Sequence, residues 1–248
     1  MSSTRSQTRL RDRLPAPPRR EQTFRWRGNE VSRVEGLADA VFGFAVTLLV
    51  VALEVPKTYA GLMDVVRGFP AFVICFVLLM VFWNAHYRYH RRYGLEDVFT
   101  RVITMAILVL VLFFVYPLKF LFTFVTVNMF DIAMANPPTL EASWQVDSLY
   151  FIYGAGFAGT WGLYAALYAH AWARRDALDL DPAERLHTRA ALNENLIYVI
   201  VCMLSVVLAA ATSSNSAPGF VYFLLGPLQG VNGWWFGRQI DAASKVRS

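Results

Sequence analysis

The sequence predicts an all-α integral membrane protein of six transmembrane helices, and three observations carry that reading. Apolar residues make up 56% of the 248-residue chain and charged residues 17%, where a soluble domain carries about 25% charged. The apolar excess collects in six blocks, at residues 37–53, 69–85, 102–118, 149–172, 196–211 and 220–236. Each is close to the roughly 20 residues that cross about 30 Å of hydrocarbon as a helix satisfying its own backbone groups. Finally, alternation of those blocks puts all but three of the Lys and Arg on one side, leaving Lys57, Arg67 and Lys119 on the other. By the excess of basic residues in cytoplasmic loops, that side is the cytoplasm of a cell-membrane protein, and both termini are expected there.

Taken in order, residues 1–30 hold Pro15, Pro17, Pro18 and a run of Arg with little periodicity, the composition of a disordered basic tail. Such a tail is either attracted to anionic lipid headgroups or only anchors the topology. It is too long a charged lead for a cleaved signal peptide. Residues 31–240 form the six-helix domain and 241–248 a cytoplasmic C-terminal tail. The first block carries one ionisable residue, Asp39, near its start; a carboxylate at that depth calls for a partner. The second block opens near Pro70 and ends Trp83-Asn84-Ala85-His86.

The third block has Pro117 near its end, and residues 120–130 stay apolar. They either continue the helix past a proline kink or lie at the outer interface. Residues 136–147, with Pro137 and Pro138, read as a loop. The fourth block spaces Ala155, Ala158, Gly159 and Gly162 as small-x-x-x-small pairs, a pattern of close helix packing. A charged inner loop follows at 174–189, and from residue 195 to 237 there is no Asp, Glu, Lys or Arg. A water-facing helix would show a charged stripe there. Trp83, Trp172, Trp234 and Trp235 fall where aromatic belts form. Cys75 and Cys202 lie inside blocks as small buried residues.

The net charge of +5 is thus a topology signal, and nucleic acid is not an expected partner. No nucleophile–base pair marks an enzyme and no cofactor is implied. His86 and His90 stand at i and i+4 but lack a third ligand, so no metal is expected.

Phe44, Thr47, Leu48 and Val51 share one face of the first helix, at the offsets of 0, 3, 4 and 7 that align on an α-helix. On spacing alone that face is packing or lipid contact, and a Thr in a span commonly bonds back to its own helix. Asp39 points about 140° away from Phe44. Asn84 or His86, at the same depth on the second helix, could donate to it and Arg33 could add charge. Asp39 could equally act as a carboxylate near the helix N-terminus.

Arg33 followed by Leu37-Ala38-Asp39, then Thr47 and Pro56, with Pro70 and Trp83-x-x-His86 one helix later and Pro117 in the third, resembles the endosomal and lysosomal potassium channels of the transmembrane protein 175 type, in their bacterial branch. The likeness covers roughly residues 31–118, while the last three blocks match in hydropathy and number. Leu37-Ala38 stands where that family has Phe-Ser, and Phe44 where it has a branched aliphatic.

The resemblance implies a homotetramer whose first helices line a central pore for potassium ions. Phe44, with Leu48 and Val51, would form a hydrophobic constriction, Thr47 would supply hydroxyls for selectivity, and Arg33, Asp39, Trp83, Asn84 and His86 would brace the pore helix. A ring of apolar side chains blocks ions by expelling water. No Thr-Val-Gly-Tyr-Gly filter occurs in the chain, so only modest preference for potassium over sodium is expected. The rival is a proton-coupled secondary transporter with Asp39 as the titrating group; it would call for inverted repeats or broken helices, which the sequence does not display.

Overall fold

Side-chain caps mark where several of the helices begin, while those starting at Phe69 and Ser143 follow Gly68 and Ala142 without one. The computed structural model describes residues 24–28, 30–53, 55–212 and 217–245, and among them the elements are α1 (Arg33–Val51), α2 (Tyr59–Arg67), α3 (Phe69–Tyr93), α4 (Val98–Phe130), α5 (Ser143–Ala173), α6 (Pro182–Ala211), α7 (Ala217–Phe220), a 3₁₀ turn (Val221–Leu224) and α8 (Leu225–Lys245). Ser32 caps α1 in a box with Glu35: its hydroxyl accepts from the Glu35 N–H at 3.1 Å, and the Glu35 carboxylate accepts from the Ser32 N–H at 3.2 Å. Asp181 and Glu184 form the same box at the start of α6, with Pro182 in the first turn. Asp97 caps α4 by accepting from the Thr100 N–H at 2.9 Å. Gly94 ends α3 in the left-handed region, φ +57°.

Four of the six long helices, α1, α3, α4 and α6, are long and apolar enough to cross a membrane by length and composition. α5 and α8 are of similar length but mix Gly, Tyr and Trp, or Gly, Gln and Asn, among their apolar residues. Of the six spans expected, four are supported by length and composition among the described residues.

The helices also exceed the apolar blocks. α3 runs on through His90 to Tyr93, and α6 starts at Pro182. The inner loop expected at 174–189 is correspondingly shorter, because Glu184, Arg185 and Arg189 ride on the first turns of α6. α4 continues unbroken through Pro117 to Phe130, and the Pro117 carbonyl accepts from the Tyr153 hydroxyl on α5. α2 has no counterpart among the predicted elements: Thr58 caps it, accepting from the Gly61 N–H at 3.1 Å. Its Asp64 accepts from the backbone N–H groups of Ala135 and Asn136 at 2.9 and 3.2 Å.

α1 packs against α3 and α4, and α6 is covered by α5 on one side and α8 on the other. The closest approach in α5 falls at Gly154 and Gly156, not at the spaced pairs. A Cβ on Gly154 would lie 2.4 Å from a Val206 methyl and one on Gly156 2.1 Å from the Phe114 ring, while Gly159 and Gly162 leave ordinary contact distances. Cys75 and Cys202 are buried free thiols.

Candidate functional site: the open face of α1

The inward stripe of α1 is Glu35, Ala38, Phe42, Ala45 and Leu49, all buried, a three–four spacing that seals one side of the helix against α3 and α4. Thr47 lies about 160° from the centre of that stripe and Phe44 about 140°. Both are exposed, Phe44 at 56%, and Val51 beyond them at 64%, whereas Leu48 is half-buried against the core. The open face also carries Gly36, Ala40 and Gly43. A Cβ on either glycine would meet nothing within 4 Å, so no contact inside the subunit requires them. The Thr47 hydroxyl donates to the Gly43 carbonyl at 3.0 Å. With its proton committed to the helix, the oxygen keeps lone pairs that can face a cation.

Asp39 sits on the flank of α1 toward α3, and its partner is Trp83, whose indole N–H donates at 2.8 Å. Neither Asn84 nor His86 is the donor. Asn84 is exposed, and His86 is buried with its ring 6.3 Å from Phe42 and 4.2 Å from His90. The difference is one of helix angle. Trp83 and His86 stand at similar depth, but the indole reaches across the flank while the imidazole turns into the core. Arg33 is exposed and has no carboxylate partner among the described residues. The ion pair at the start of α1 is instead made by the buried Glu35, 3.5 Å from the Arg91 guanidinium on α3.

Other polar ties cluster at the same, basic end of the bundle. Asp97 meets His170 at 2.6 Å and Arg174 at 3.1 Å, joining α4 to the end of α5. Its partial burial pushes the carboxyl up, but the Thr100 N–H and His170 outweigh this and hold it down at about 2. At the opposite end the Lys119 ammonium on α4 donates to the Ala52 carbonyl just past α1, where a cation complements the carbonyl end of a helix. Beside it an open cavity of about 550 Å³ is lined by Val51, Tyr116, Lys119, Thr123 and Asn136 among others. No cluster of three or more metal-ligating side chains is present among the described residues.

Residues 33–117 match the family model described as endosomal/lysosomal potassium channel TMEM175. A protein named potassium channel from Marivirga tractuosa is 32% identical over 220 residues, covering 85% of this chain and 89% of its own. The chain belongs to the TMEM175 potassium channel family. The family is a channel family and not a class of enzyme. Among solved structures, the crystal structure of a threonine-to-alanine variant of the potassium channel MtTMEM175, in complex with a nanobody–MBP fusion protein, superposes with a TM-score of 0.78 at 28% identity, covering 91% of this chain and 100% of that one. TMEM175 likeness thus extends beyond the segment carrying the sequence motif and takes in most of α5–α8, which hydropathy alone had matched.

Proposed function

We propose that this chain is one subunit of a homotetrameric, potassium-permeable channel of the cell membrane, with both termini cytoplasmic and α1 lining a central pore. The observation that carries the reading is the open face of α1 in a member of a potassium channel family. Gly36 and Gly43 lie on it with open space where a side chain would stand, although each glycine in a helix costs about 1 kcal/mol relative to Ala. Small residues on an uncovered helix face in lipid let other helices approach closely.

In that arrangement Phe44, Leu48 and Val51 turn toward the axis or the seam beside it, and the apolar ring expels water until it dilates. Thr47 presents its oxygen at the axis, where narrowness and a few dipoles give modest preference for potassium over sodium. Asp39 and Trp83 brace α1 against α3 by a hydrogen bond and His86 by contact with Phe42, with Arg33 and Asn84 on the exposed flanks. Family membership does not favour the transporter reading, and the Asp39 carboxylate already accepts the Trp83 N–H.

The test is current from purified protein in a planar bilayer with potassium on one side and sodium on the other. The wild type is expected to show discrete openings with a reversal potential displaced toward potassium. Phe44→Ala is expected to raise leak, and Thr47→Val to move the reversal potential. Unchanged current in both variants would remove α1 as the pore lining, and saturable flux that follows a pH gradient would replace the pore with a transporter.

A further inference from the structure

Residues 1–30 are expected to be a disordered basic tail; residues 1–23 and 29 lie outside the described residues, and residues 24–28 are packed onto the basic end of the bundle. Phe24 is 4% exposed, edge-on to Tyr93 at 5.6 Å and His187 at 5.9 Å, with the Arg92 guanidinium 5.3 Å over its ring. Arg27 forks onto Glu184 through Nη2–Oε2 at 2.7 Å and Nη1–Oε1 at 3.0 Å, and its Nε and Nη2 donate to the carbonyls of Leu178 and Asp179 at 2.9 and 3.0 Å. The Arg25 N–H donates to the same carboxylate at 2.8 Å. Glu184 therefore both completes the capping box of α6 and anchors this segment. Such a bidentate, nearly buried pair is geometrically selective as well as strong.

From that anchor two physical routes lead to α1. In the first, the N–H groups of Arg27 and Gly28 donate to the Arg91 carbonyl at 3.2 Å each, and Arg91 Nη1 returns a hydrogen bond to the Gly28 carbonyl at 2.9 Å. Its Nε lies 3.5 Å from Glu35, in the capping box of α1. Gly28 is needed for this fit, because a Cβ there would stand 2.7 Å from the His90 carbonyl oxygen. In the second, Trp26 meets Tyr87 edge-on at 6.2 Å, Tyr87 stacks on Trp83 at 5.6 Å, and Trp83 holds Asp39. The two routes end at Glu35 and Asp39, one helical turn apart on α1.

We propose that residues 24–28 are a positioning strap, which ties the capped start of α6 and the end of α3 to the first turn of α1 and so sets how often the α1 pore opens. The inference rests on the channel reading above. The strap restrains the inner end of α1, and an apolar ring conducts only when its helices dilate or rotate. Releasing the strap therefore favours the open state. It touches neither Phe44 nor Thr47, so it leaves the ion path of an open channel as it was.

The experiment is single-channel recording on the full chain in planar bilayers with potassium and sodium gradients, comparing wild type, Arg27→Gln and Trp26→Ala. Arg27→Gln is expected to raise open probability roughly tenfold, the change produced when about one charge-assisted hydrogen bond stops favouring one of two states. Trp26→Ala, at a half-exposed position, is expected to raise it less. Unitary conductance and reversal potential stay at wild-type values in both, a signature that mere loss of folded protein does not produce.

Should Arg27→Gln fail to assemble, Trp26→Ala decides alone. Assembled variants with wild-type open probability overturn the strap while leaving the channel reading intact, and so do variants whose unitary conductance shifts. A wild type that passes no potassium current overturns the channel reading and the strap's role with it.

Discussion

α1 and α6 begin alike and are held in opposite ways. Each starts at the basic end with a capping box whose third residue is a buried glutamate, Glu35 or Glu184, and each glutamate faces an arginine from elsewhere, Arg91 or Arg27. Beyond the first turns they diverge. α6 is tied along its length: Asn193 meets Asn232 at 2.8 Å, Gln229 donates to the Glu194 carbonyl at 3.0 Å, and the Ser205 hydroxyl reaches the Pro218 carbonyl at 2.9 Å. α1 has no such tie to another helix between Asp39 and Ala52 among the described residues, and one of its faces is uncovered. Polar groups inside a bilayer seek partners within the protein, so a helix whose ties lie mid-span is scaffold. A helix whose polar ties lie only at its ends, with glycine on its free side, leaves that side open, as the proposed ring of first helices requires.

The strongest way to break this contrast is within α1 itself. Leu49 is fully buried and Phe44 is not. Leu49→Ala is expected to lower the unfolding free energy by about 2–5 kcal/mol, as for other buried leucines, and Phe44→Ala by far less, when thermal unfolding is followed in detergent. Equal losses would mean that the open face is packed inside the subunit. Next in size, Gly154→Ala is expected to cost about 1–3 kcal/mol because its methyl would overlap Val206. The same substitution at Gly43 should leave the isolated subunit nearly unaffected and act on assembly, read as a shift in oligomer size.

Asn193→Ala should cost roughly 0.6–2 kcal/mol, the usual range for a hydrogen bond between helices in lipid. A neutral result would demote the α6–α8 ties to incidental contacts. The smallest effect concerns the basic end. The Asp97 carboxyl, held at about 2 against an ordinary value of 3.8, contributes stability that is complete above pH about 4 and is lost as pH falls through about 2. Asp97→Asn should flatten that part of the acid unfolding curve, and a superimposable curve would show that the pairs with His170 and Arg174 contribute nothing.

Much of this organisation was legible in the sequence. The six long helices follow their apolar blocks in order, and the exposure of Phe44 and Thr47 agrees with their shared helical offset. Chain features whose logic is local but not periodic stayed hidden. The nine residues of α2 are too short and too amphipathic to register as a block, and the polar first turns of α6 read as loop because charge masks a helix that only its Asp181-Pro182-x-Glu184 cap reveals. The spacing pointed to Asn84 or His86 as the partner of Asp39; that it is Trp83 depends on a rotation about α3 that spacing does not fix. Glu184, the centre of the basic end, looked like one more loop charge until Arg27, 157 residues away, was folded onto it.

Lys119 gives α1 a second mooring. With Glu35 and Asp39 fastened near one terminus and the Ala52 carbonyl held at the other, the helix resembles a string fixed at both pegs. Its easiest deformation is a bow, whose travel is greatest midway and smallest at the pegs. Gly43, near the middle, has open space beside it on the free face, and the turn that would travel furthest is the one bearing Phe44 and Thr47.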